Sequence, residues 1–259
     1  SNTDSGEIKA KNLTLTGSLT NEKIISVTET FEIGGLLTNN STGEITSDTL
    51  SAKSSVENSG TISATILTAE SSVTNDGTIS STTKLEVTGI LKNTSTGKIE
   101  TQTLATNEGS DVDNSGTIKV TTKAEITGNL TNKNLFDAEN AEVEIGENVS
   151  NTDSGEIKAK NLKVTGTLTN QKVCEIIAST ITVQSAVTNS GKISVTDTLE
   201  AGGLLTNNET GTISATTLNA TFNVEKALIN SGTIDTQTLT AKSSVENSGT
   251  ISATILKAE

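Results

Sequence analysis

The sequence predicts an all-β fold, a parallel β-helix solenoid of about fourteen coils of about 19 residues each. Three observations carry this: a Gly-x-Ile motif that returns at near-regular intervals, long internal identities, and a period-two alternation of apolar and polar residues. A chain that repeats itself in this way builds one piece of architecture many times, whereas an enzyme assembles one site from unlike segments.

The motif isoleucines are Ile8, Ile45, Ile62, Ile79, Ile99, Ile118, Ile157, Ile193, Ile213, Ile234 and Ile251, separated by 17 to 21 residues or by about twice that. Each double gap holds a degenerate copy: Leu19-Thr20-Asn21 leading to Ile24, Leu130-Thr131-Asn132 leading to Leu135, and Leu168-Thr169-Asn170 leading to Val173. Residues 52–67 return unchanged as 241–256, and residues 1–13 as 150–162, offsets that fit whole numbers of coils. Whole units have been duplicated.

Within a unit the apolar or small residues Val56, Ile62, Ala64 and Ile66 fall mostly two apart, a spacing that suits strands and not a helix. Thr, Val and Ile favour strands, while Asn, Ser, Asp and Gly mark the bends. Each unit therefore reads as two or three short strands joined by tight corners. One such unit buries too little to offset the entropy of ordering it, so stability must come from stacking each strand on its equivalent about 4.8 Å along the axis. A thin column of inward side chains also explains how a chain only 31% hydrophobic can fold.

Asn58, Asn75, Asn114, Asn189, Asn230 and Asn247 all lie two residues before a glycine and would stack in register. An inward amide can donate to the neighbour on one side and accept from the other, forming a ladder. The plainer alternative is that Asn and Gly are turn formers only. The corner glycines Gly60, Gly77, Gly116, Gly191, Gly232 and Gly249 are expected to adopt positive φ.

The Leu/Val-x-Asn-x-Gly-x-Ile pattern, seen in Val56-Glu57-Asn58-Ser59-Gly60-Thr61-Ile62 and again at 73–79, 112–118, 187–193, 228–234 and 245–251, resembles the passengers of Gram-negative autotransporters and the repeats of filamentous-haemagglutinin-like two-partner secretion adhesins. That resemblance implies a right-handed coil, cell-surface display and adhesion. The secretion cap and membrane barrel of such proteins are not in the sequence. Ser1 matches Ser150 and Glu259 falls where Glu70 falls, so both ends lie inside ordinary repeats. Residues 1–259 are accordingly expected to be a single solenoid array, a fragment of a longer protein without its caps.

Composition narrows the function classes. The net charge is −13, every basic residue is Lys, and three Phe are the only aromatics, so the basic groove and stacking platforms of nucleic-acid binding are missing. No run of 18 apolar residues occurs, and no membrane insertion of this segment is expected. Polysaccharide lyases and hydrolases also use β-helices, but they need clustered carboxylates, usually with a basic residue, on protruding loops. Here no interval between anchors exceeds about 22 residues, His and Arg are absent, and the pairs Asp111/Asp113 and Glu142/Glu144 read as solvated surface. No catalytic residue, no cofactor and no metal site is expected; Gly34-Gly35 and Gly202-Gly203 lack the calcium nonapeptide.

The single Cys174 aligns with the Ile24-Ile25 pair and reads as a small core residue. Phe31, Phe136 and Phe222 read as core fillers. An ice-binding row of threonines after the glycine (Thr61, Thr78, Thr117, Thr212, Thr233, Thr250) is interrupted by Glu7, Glu44, Lys98, Glu156 and Lys192. The expected function is a non-catalytic extracellular structural or adhesive protein, a rigid stalk or passenger segment of a bacterial surface adhesin. Its partners are then an unidentified host or bacterial cell-surface ligand, or copies of itself end to end. The second of these makes the chain a subunit of an extracellular filament, and a lyase-like enzyme is the third reading.

Overall fold

The computed structural model describes residues 1–107, 109–222 and 226–258; Glu259, matched in sequence to Glu70, lies outside them. The chain divides into two compact units, Ser1–Gly128 and Asn129–Glu259, each a parallel β-solenoid without helices among the described residues. The predicted fold class is borne out, with about thirteen turns. Counting anchors gave one more because each anchor marks a rung, and a turn is the interval between two rungs.

From Leu37 onward each turn contributes a short strand and a long one; before it the long strand is broken in two, into Glu7–Ala10 and Leu13–Leu15 and then Ile24–Val27 and Thr30–Ile33, and Asn2 makes only an isolated bridge to Asn21. In the first unit the short strands are Leu19–Asn21, Leu37–Asn39, Val56–Asn58, Val73–Asn75, Leu91–Asn93 and Val112–Asn114. In the second they are Leu130–Asn132, Val149–Asn151, Leu168–Asn170, Val187–Asn189, Leu205–Asn207, Lys226–Asn230 and Ser244–Asn247. Their register is parallel: Val56 pairs with Leu37 and Val73, and Val187 with Leu168 and Leu205. Leu or Val at the first place points inward and Asn at the third does too, while the middle residue faces out; Val73–Asn75 shows this as buried, exposed, buried.

The long strands run from 9 residues, as in Thr61–Ala69, to 11 in Leu135–Ile145, and they bend near the middle. The bend shifts the side-chain parity. In Thr61–Ala69 the buried positions are Ile62, Ala64, Leu67 and Ala69, so the inward reading of Ile66 is corrected: it is only half-buried, and Leu67 takes the core place. Coils of unequal length absorb their extra residues at the same bend. Register breaks between Ser81 and Lys84 and between Ala138 and Glu142, while Ile79 and Leu85 still meet Ile62 and Leu67.

Two apolar columns run along the long strands of each unit. In the first unit Ile8, Ile25, Ile45, Ile62, Ile79, Ile99 and Ile118 stack in register, and Leu13, Phe31, Leu50, Leu67, Leu85, Leu104 and Ala124 form the second column. In the second unit Phe136, Ile157, Ile176, Ile193, Ile213, Ile234 and Ile251 make the corresponding first column.

These pairings correct the three degenerate anchors. Ile25 is the rung residue rather than Ile24, Phe136 rather than Leu135, and Ile176 rather than Val173. Ile24 is 44% exposed and Val173 is 73% exposed. The error came from assigning the first apolar residue after Asn to the core, whereas corner length decides which one turns inward. Phe31 and Phe136 are fully buried core residues; Phe222 is half-exposed, because it sits past the end of a strand.

Candidate functional site

The polar side chains that the fold collects most densely are the asparagines that end the short strands. In the first unit Asn2, Asn21, Asn39, Asn58, Asn75, Asn93 and Asn114 are linked in sequence, each Nδ2 donating to the next Oδ1 at 2.8–2.9 Å. In the second unit Asn132, Asn151, Asn170, Asn189, Asn207, Asn230 and Asn247 are linked in the same direction at 2.7–2.9 Å. All are buried except Asn247, which is exposed in the last coil.

From Asn21 to Asn93 and from Asn132 to Asn230 each Nδ2 also reaches two backbone carbonyls. Asn58 donates to Gly60 O of its own corner at 3.1 Å and to Thr78 O of the next coil at 3.0 Å. Two amide hydrogens are there shared among three acceptors, and within each unit successive turns are tied by the side chains as well as by the strands.

The sequence criterion named Asn58, Asn75, Asn114, Asn189, Asn230 and Asn247, and the structure places each of them in this series. It missed Asn2, Asn21, Asn39, Asn93, Asn132, Asn151, Asn170 and Asn207, because it required glycine two residues later. Corners come in two lengths. In Asn39…Gly43, Asn93…Gly97, Asn151…Gly155 and Asn207…Gly211 the glycine lies four residues on, yet the amide still reaches its carbonyl at 2.8–3.1 Å. The triplet Leu/Val-x-Asn, which ends at each of them but Asn2, is the signal that finds the rest.

The expectation of positive φ at Gly60, Gly77, Gly116, Gly191, Gly232 and Gly249 is corrected. Among the glycines only Gly109, at +71°, is left-handed. Glycine is needed at these corners for close approach. Ser59 N and Gly60 N both donate to Asn39 O, at 2.7 and 3.2 Å, which seats one corner directly on its neighbour. A Cβ on Gly60 would overlap Gly43 O and lie 2.8 Å from Asn39 Nδ2.

Positive φ appears instead at Asp4 (59°), Asp153 (61°) and Val173 (64°). Aspartate tolerates that region; a β-branched valine does not. Val173→Asn is therefore expected to stabilise the chain by about 1 kcal/mol, read as a higher midpoint in urea; an unchanged or lower midpoint would refute the strain.

Cys174 does not align with Ile24-Ile25. It takes the place of a corner glycine, its carbonyl accepting from Asn170 Nδ2 at 3.3 Å and from Lys192 N at 2.9 Å. The thiol is buried, and burial pushes its pKa up. Its reaction with a thiol reagent at pH 8 is expected to be at least tenfold slower in the folded chain than in urea, and equal rates would contradict the burial.

The acidic pairs carry local partners. Glu142 accepts from Asn161 Nδ2 at 2.8 and 2.9 Å and pairs with Lys160 at 3.2 Å, and these hydrogen bonds, Asn161 first, hold its carboxyl below the usual range. Glu144 pairs with Lys163 at 3.7 Å. Asp111 and Asp113 lie at the short strand Val112–Asn114, with Asp113 outward beside Lys92 in register. The threonine row is interrupted in register as in sequence, Lys98 lying between Thr78 and Thr117, and Lys192 next to Thr212.

Comparison with known proteins places residues 134–248, within the second unit, in a match to the family model of the BigA fourth domain, a domain of bacterial surface proteins. The match covers less than half of the chain. No curated protein matches, and no solved structure matches. The match and the β-solenoid together fit a bacterial surface repeat protein.

Proposed function

We propose that this chain is a non-catalytic structural and adhesive segment of a bacterial surface adhesin, a rigid β-solenoid that serves as stalk or passenger outside the cell. The observation that carries this reading is the tying of successive turns by three kinds of bond at once: parallel strands, apolar columns and the buried asparagine series. A turn so constrained resists bending and local opening, which is what a spacer under load requires. The match of residues 134–248 to a surface-protein domain supports the same location.

The sequence suits this role. Its surface is rich in Ser, Thr and Asn with exposed ion pairs such as Lys192–Glu175 at 2.7 Å, so it stays hydrated without needing a partner on every face. In this reading the chain uses no cofactor, binds no nucleic acid, and meets a cell-surface ligand or its own copies. Antibody raised against the chain is expected to label intact bacteria that produce it, and brief external protease treatment should remove the label. Labelling only after permeabilisation would overturn the reading.

A further inference from the structure

We draw no further inference here: the strongest candidate, the open strand edge of the last turn, Ser244–Asn247 and Thr250–Ala258, where Ile255 and Leu256 are 48% and 56% exposed, carries none because nothing in the structure shows what covers it.

Discussion

Replacing Asn75 by alanine is expected to lower the unfolding free energy by about 3–5 kcal/mol. The side chain is fully buried and sits mid-series. It accepts from Asn58 Nδ2 at 2.8 Å and donates to Asn93 Oδ1 at 2.9 Å, Gly77 O at 3.1 Å and Lys98 O at 3.1 Å. Alanine leaves one donor and three acceptors short of a partner where water has no access, and each such group costs roughly 1–3 kcal/mol before sharing with its remaining contacts. Asn75→Asp should also destabilise, because a carboxylate can accept from Asn58 but offers nothing to the three oxygens it faces. Thr74→Ala, one residue away but facing solvent, is the control and should move the urea midpoint little. If Asn75→Ala matches Thr74→Ala, the amides are turn formers and nothing more.

The second large effect is at the corner. Gly77→Ala should cost about 3 kcal/mol, because a Cβ there would overlap Gly60 O and lie 2.6 Å from the Ser59 carbonyl carbon. Both are backbone atoms of the neighbouring corner, so relief requires the stacked turns to part. Gly17→Ala supplies the contrast: nothing lies within 4 Å of its added methyl, and the change should be neutral or slightly stabilising. A left-handed corner would show the opposite diagnostic, with Gly77→Asn tolerated and Gly77→Ala not. Here both substitutions should be damaging, since the obstacle is space.

Much of this was legible in the residues. Period-two alternation in segments such as 61–64, and a Gly-x-Ile motif at near-constant spacing, left stacked parallel strands as the arrangement that buries every apolar column at once. The named asparagines were found because their spacing to glycine was regular. Their fellows at Asn39, Asn93, Asn151 and Asn207 were missed because a longer corner hides the regularity, although the backbone of that corner returns glycine to the same place. Cys174 was misplaced for the same reason: in a degenerate coil, counting from the Asn rather than from the next isoleucine puts it at the glycine position.

The sequence by itself determined the period, the strand character and the inward asparagine, since these follow from local side-chain alternation and from repetition. The tertiary structure decided which residue after each corner enters the core, where parity reverses in the long strands, and why glycine is required. Those outcomes depend on the distance between one turn and the next. That distance is set by hydrogen bonding across the stack, between residues about 19 positions apart, and no local pattern contains it.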